Sequence, residues 1–348
     1  MKAASETAQV RSDLDHVSRV ELKLDANPYE ALIKLGHDQP AGIQSIYSMH
    51  RTRRNAEQRE KFVGPDYKEL AIDPFLFRLE NAEVEPGFRD PRNCLVFWAR
   101  PPEHVIQLAS HLQMLLKQAA PGNTQVLPSL RNRRAGIFAN LGPCQDLWLM
   151  PSHRMHMTTM EVTHSRTPEE IAGLVSVIKP AIPSLTNLTY MHRARLVKPM
   201  ISYDLSAIAL SFLPAAGEKA LCPIQPAPRY PDEYTPEGDE YTYHHLRRDV
   251  YGLLQATGVK IDSRYVLPSA HITLGRYLAQ TDHDTQEKRE NWVRTIEEIN
   301  KWLETEVWDT TDGGFVGEWI VGQERGLDAR SGTLWYGGGR TLMMGEGF

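Results

Sequence analysis

The sequence predicts an α+β fold made of two related lobes. Three observations carry this. A strand, helix, strand, helix order occurs twice along the chain. The spacing inside the two copies agrees, 60 residues from Val96 to His156 and 64 from Ala207 to His271. A His-x-Thr triplet then falls at the equivalent place in each copy, with a helix expected roughly ten to fourteen residues further on. The copies form a diverged, pseudo-twofold repeat with helices outside. The first lobe is read as residues 89–190 and the second as 191–348, with residues 1–88 an N-terminal extension packed on the body they form.

The extension is polar and mixed, with a short helix expected over residues 29–35 and a basic run at His50-Arg51-Thr52-Arg53-Arg54. In the first lobe the apolar run at 94–99 reads as a strand. Pro101-Pro102 separates it from residues 104–119, where Val105, Leu108, Leu112, Leu115 and Leu116 recur at helical spacing. A loop rich in Gly, Pro and Arg over 121–145 leads to a strand at 147–162, and Thr167-Pro168-Glu169-Glu170 opens the next helix as a capping box. In the second lobe residues 201–213 read as strand, 241–256 as helix and 264–278 as strand. Residues 285–305 read as a long amphipathic helix carrying Trp292, Val293, Ile296, Ile299 and Trp302. Six prolines between Leu213 and Asp239 mark a long irregular loop, a candidate lid. Residues 318–322 and 333–336 read as two last strands before a turn at Gly337-Gly338-Gly339.

A chain of 348 residues with 41% apolar content buries a real core. Its 39 Lys and Arg against 44 Asp and Glu leave a formal charge of −5, too acidic for a protein that coats long nucleic acid. Any nucleic-acid contact is therefore expected to be local. Cys94, Cys144 and Cys222 have neither disulfide nor zinc-ligand spacing, which points to a reducing compartment and no metal site. The polar start lacks a signal-peptide core, and no later stretch reads as a membrane span. The expectation is a soluble monomer, cytoplasmic or nuclear, with no membrane partner.

In a strand, residues i and i+2 share a face, so His156 and Thr158 project together, as do His271 and Thr273, each pair over an apolar back face. With 13 His, a random chain of this composition gives about one His-x-Thr triplet, so one match means little. Four occur. His50-Arg51-Thr52 sits in a charged run and His283-Asp284-Thr285 at a polar helix start, and both are set aside. The triplets at 156 and 271 alone combine an apolar middle residue, a strand context and equivalent places in the repeat. Two imidazoles converging on one central site have the geometry of acid–base catalysis.

These motifs resemble those of the two-histidine (2H) phosphoesterase superfamily, defined by two HxTx motifs with apolar x and including RNA ligase-like proteins and cyclic nucleotide phosphodiesterases. Pro268-Ser-Ala-His271-Ile-Thr-Leu-Gly-Arg276 is similar to the second motif of that family. Met155-His-Met-Thr158-Thr159 is similar to the first, with Thr159 where the family carries an apolar residue. The resemblance spans about residues 92–336. It implies two antiparallel sheets flanking a V-shaped central cleft. It also implies metal-free, cofactor-free hydrolysis of a 2′,3′-cyclic or 1″,2″-cyclic phosphate of a nucleotide or RNA 3′ end. The residues suit that chemistry independently. Imidazole titrates near pH 6.5, so near neutrality one His is expected neutral and the other protonated, to activate water and to protonate the departing ribose oxygen. The Thr158 and Thr273 hydroxyls would hold the non-bridging phosphate oxygens. Two alternatives stay open: RNA end joining over the same pair, and a non-catalytic nucleotide- or RNA-binding module.

Substrate-binding candidates are Arg154, by strand parity with His156; Tyr277, by the same relation to His271 and able to stack on a base; and Arg276, which closes the second motif. Arg131, Arg133 and Arg134, and separately His192, Arg193, Arg195 and Lys198, form basic clusters that either grip phosphate or face solvent. Gly337-Gly338-Gly339-Arg340 lacks the Lys-Ser or Lys-Thr of a phosphate loop. His244-His245 lacks a carboxylate at metal-ligand spacing.

Overall fold

A computed structural model describes residues 27–119, 146–221, 239–262, 266–310 and 313–348. The Arg131, Arg133 and Arg134 loop, Cys144, Cys222 and most of the candidate lid lie outside the described residues. In chain order, α1 (Glu30–Leu35), α2 (Pro40–Val63) and α3 (Pro74–Glu80) precede β1 (Asn93–Ala99), α4 (Glu103–Ala119), β2 (Leu147–Leu149), β3 (Met157–Arg166) and α5 (Pro168–Ile178). Short helices α6 (Ile182–Thr186) and α7 (Leu188–Met191) lead to β4 (Arg195–Tyr203) and β5 (Ala207–Pro214). Then come α8 (Tyr243–Ala256), β6 (Ala270–Tyr277), α9 (Gln286–Glu306), β7 (Trp319–Ile320), β8 (Arg325–Gly332) and β9 (Arg340–Glu346).

The fold is α+β, and its strands form a single curled antiparallel sheet in the order β7-β4-β5-β6-β3-β1-β8-β9, with β2 pairing β6. β1 pairs with β3 and β5 with β6. The two couples meet between β3 and β6, where Met157 opposite Ile272 is the pair in register. The helix starts follow the expected chemistry. Thr167 and Glu170 form the capping box of α5, and the Thr285 hydroxyl accepts from Lys288 N to cap α9.

Several boundaries differ from the sequence reading. Residues 147–162 are not one strand: β2 ends before Pro151, and a 3-10 turn (Ser152–Arg154) precedes β3. Residues 201–213 span the end of β4, a turn and most of β5. The turn is held by the Asp204 carboxylate, which accepts from Ser206 N, Ser206 Oγ and Ala207 N. Residues 333–336 are not a strand but part of the β8–β9 connection, where Gly337 and Gly339 take positive φ of 76° and 70°. Within residues 168–191, not read as a span, an 18-residue window reaches a mean hydropathy of 1.3, over helical structure long enough to cross a membrane. In the fold the stretch is broken between α5 and α6, where Pro180 falls and Pro183 follows in the first turn of α6, and again at Asn187 between α6 and α7, and α6 packs on β8 and β9.

The N-terminal helix α2 lies across β4, β5 and α9. Ile43, Ile46, Tyr47 and Phe62 join the same core as Met157, Ile272 and Leu210. Polar ties hold it there: Asn55 Nδ2 donates to Ile201 O at 3.0 Å and Gln44 Nε2 to Pro214 O at 2.9 Å. The helix thereby walls one side of the region described next.

Candidate active site

The register at the seam places the two motifs. Because Met157 faces Ile272 across an antiparallel step, His156 lies opposite Thr273 and Thr158 opposite His271, all four on the face opposite to that of Met157 and Ile272. Those two residues are 1% and 0% exposed, whereas His156, Thr158, His271 and Thr273 are partly exposed. Diagonal neighbours in such a ladder stand about 7–8 Å apart, and the charge of His271 reaches His156. The two sequence motifs thus form one array.

Helix α8 and α4 fix this array through backbone carbonyls. From α8, Tyr243 Oη donates to Thr158 O at 3.0 Å, and the buried Arg247 donates to Thr159 O at 3.3 Å and to Leu267 O at 2.9 Å, so one side chain ties β3 to the segment that leads into β6. From α4, Gln113 Nε2 donates to Met150 O and Leu274 O, each at 2.8 Å. The second bond matters because β6 is bulged at Leu274: Ala209 pairs Thr273 while Ile208 pairs Gly275. The bulge reverses the alternation beyond it. Arg276 therefore takes the face of His271 and Thr273, and Tyr277 turns inward, 1% exposed, its hydroxyl accepting from Trp292 Nε1 at 3.1 Å. The base-stacking role expected of Tyr277 is overturned by this bulge. Gly275 is required where β2 crosses, since a Cβ there would lie 2.7 Å from Trp148 O.

Arg154 also departs from expectation. It sits in the 3-10 turn with an exposed side chain, not on a strand in parity with His156. Its carbonyl is what meets the motif, accepting from His156 Nδ1 at 2.8 Å. A carbonyl only accepts, so the neutral ring carries its proton on Nδ1 and presents Nε2 as a lone pair. His271 Nδ1 lies 2.9 Å from Ser269 Oγ, a hydroxyl that serves as donor or acceptor.

Sequence reading missed what surrounds the pair. Trp98, cross-strand partner of Thr158, stacks on the His156 ring with centroids 3.6 Å apart and planes at 14°. Its indole is flanked by Arg100 and Arg330 at 4.9 and 4.8 Å. Both guanidiniums bond the fully buried Asp328, and Arg100 Nη1 also donates to Met155 O at 3.2 Å, fixing the chain where it enters β3. On the other side a cavity of about 250 Å³ opens beside His271, Thr273 and Arg276, and His50, Arg51 and Arg54 of α2 line it. The run set aside as merely charged thus belongs to the site's wall.

Electrostatics follow from these neighbours. Burial pushes the His156 pKa down to about 3, with Arg100, His271 and Arg330 lowering it further and the Arg154 carbonyl opposing. His271 is pushed down to about 4 by burial, then by Arg54, Arg247 and Arg276, against Asp204. Both rings are neutral at pH 7, not one neutral and one charged as expected from the free imidazole value.

The other candidates are occupied structurally. Arg195 pairs with Asp239 and Glu318, and Lys198 with Glu218. His244 Nδ1 meets Tyr47 Oη at 2.9 Å, and His245 caps α8 through Thr242 and reaches Asp38. His283 packs among Phe62, Tyr277 and Trp292. Among the described residues no three His, Cys, Asp or Glu side chains converge as metal ligands. No protein-family model matches the chain, and no curated protein matches it.

Proposed function

We propose that the protein is a two-histidine phosphoesterase that hydrolyses a 2′,3′-cyclic or 1″,2″-cyclic phosphate of a nucleotide or RNA end. The observation that carries this is the four-residue array of His156, Thr158, His271 and Thr273 on one sheet face around the Met157–Ile272 step. The single in-register pair at that step supports reading the sheet as two halves that open a cleft over the array. Guanidinium groups on both sides, Arg100 and Arg330 near His156 and Arg54 and Arg276 near His271, favour an anion there.

The geometry suggests the division of roles. Neutral His156, with Nδ1 held by the Arg154 carbonyl, accepts a proton from water at Nε2 as the water oxygen bonds phosphorus. His271, protonated when the substrate anion offsets its cationic surroundings, gives its proton to the ribose oxygen as the P–O bond breaks. Thr158 and Thr273 hydroxyls donate to the non-bridging oxygens where charge develops. His156 then releases its proton to solvent, and the product is a phosphomonoester.

The test is turnover of a panel of cyclic nucleotides with EDTA present. His156→Ala and His271→Ala are each expected to lower kcat by about 10²-fold or more, and Thr158→Ala or Thr273→Ala by less. Because the histidines act as a unit, the double variant is expected to be little worse than the worse single one. A wild type inactive on every cyclic phosphate, or one inactivated by chelation and restored by a divalent ion, overturns the reading.

A further inference from the structure

The cavity beside His271 runs over β5 toward α2, and His156 is not among the residues that line it. It therefore extends from the histidine pair to one side. Two guanidiniums line it with bonding capacity unused. Arg51 is 6% exposed, its Nη1 donates to Lys198 O at 2.7 Å and Ser211 O at 3.4 Å, and its Nε is buried without a partner. Arg276, from β6, likewise has a buried Nε without a partner. Neither forms an ion pair among the described residues. Burial of an unpaired cation is unfavourable, and the pKa of Arg51 is pushed down to about 9 for that reason, Glu304 opposing weakly.

The rest of the lining sharpens the chemistry. Its one carboxylate, Asp204, is engaged by Arg54 at 2.6 Å and by the turn that it caps. Hydroxyls come from Ser202, Ser206, Ser211, Ser269 and Thr273, of which Ser206 Oγ donates to Asp204 Oδ1 at 2.7 Å and Ser211 Oγ to Met200 O at 2.8 Å. The aromatic residues there, Tyr47, Tyr203 and Phe212, are 4% exposed or less and so offer no open ring face on which a nucleobase can stack. A cationic, hydroxyl-rich, unstacked cavity next to an acid–base pair suits a second anion better than a base.

We propose that this cavity binds a second phosphate of the substrate, separate from the one cleaved, with Arg51 and Arg276 as its principal donors. The substrate is then a nucleotide carrying an additional phosphate or the end of an oligonucleotide, not a nucleoside cyclic monophosphate. The proposal rests on the phosphoesterase reading only for the place of the scissile group.

Calorimetric binding of three product-like probes tests it: adenosine 2′-monophosphate, adenosine 2′,5′-bisphosphate, and a diadenylate ending in a 2′-phosphate. At least one of the two larger probes is expected to bind about tenfold or more tightly than the first. A gain for the bisphosphate alone identifies a terminal phosphomonoester, and a gain for the dinucleotide alone identifies a backbone phosphodiester. Arg51→Gln and Arg276→Gln are expected to remove the gain, while His156→Ala keeps it. Because Arg51 is buried, Arg276→Gln decides the matter if the Arg51 variant fails to fold. Equal affinity of the wild type for all three probes, or an undiminished gain in Arg276→Gln, overturns the proposal even if cyclic monophosphates are hydrolysed. A gain that these variants remove, with no cyclic phosphate turned over, supports the anion site and instead overturns the phosphoesterase reading.

Discussion

A phosphodiester monoanion placed between His156 and His271 is expected to raise the pKa of one ring to near neutrality. In the free protein the rings lie at about 3 and about 4, pushed down chiefly by burial and then by the surrounding arginines. A unit negative charge about 4 Å from an imidazole, at an effective dielectric constant of about 20, favours the charged ring by roughly 4 kcal/mol. At 1.36 kcal/mol per pKa unit that is a rise of about 3, carrying His271 from about 4 to about 7. His156 starts lower, and the first proton taken up opposes a second because each ring feels the other's charge. One proton is therefore taken up, not two. The assay is the pH titration of the histidine Cε1–H resonances by NMR, assigned through His156→Asn and His271→Asn. Dimethyl phosphate serves as a ligand that has no titrating proton of its own in this range. Without ligand, neither ring is expected to titrate above pH 5; at saturation, one is expected to titrate near 7. His283, held near 4 by burial on the opposite side of β6, is the control that stays put. A free-protein ring titrating near 6.5, or a saturating diester that leaves both rings below 5, refutes the reasoning.

Three further outcomes are expected. Trp98→Phe weakens the stack that orients His156, and kcat is expected to fall about tenfold with KM changed little, read from initial rates. Tyr277→Phe is expected to leave turnover unchanged while lowering urea stability by about 1 kcal/mol, since Trp292 Nε1 loses its acceptor. His283→Phe is expected to hold or raise stability at pH 7, because both ring nitrogens of His283 are buried without partners. It is also expected to flatten the pH dependence. The folded pKa of His283, about 4, lies below the unfolded 6.5, so its contribution is intact above 6.5 and is lost as pH falls toward 4, about 2 kcal/mol between pH 8 and pH 5. Urea midpoints of variant and wild type at those two pH values check it, and parallel curves refute it.

The order of strands and helices and the two motifs were legible because each rests on local patterning: period, caps and an apolar middle residue. What failed was set by contacts between segments. The turn at Asp204-Leu205-Ser206 has no Gly or Pro, and an apolar run continuing across it reads as one strand. Tyr277 turns away from the face of His271, and Arg276 onto it, because a one-residue bulge flips every later side chain. The signal for it was present, since a lone Gly275 inside a strand pattern marks a bulge or a close backbone approach.

The wall formed by α2 was also readable, though by a different pattern. Ile43, Ile46 and Tyr47 begin a stripe that continues at helical spacing through His50, Arg51 and Arg54 to Gln58 and Phe62. The buried members, Ile43, Ile46, Tyr47, Arg51, Gln58 and Phe62, confirm its direction. A charged run judged by composition alone looks solvated. Judged by phase, Arg51 lies on the inward face of an amphipathic helix, and its neighbours Arg53 and Glu57 pair with each other on the outward one. A cation that keeps the phase of an apolar stripe must find partners inside the fold, and in this helix the partners found are two carbonyls and the edge of a cavity that begins at His271.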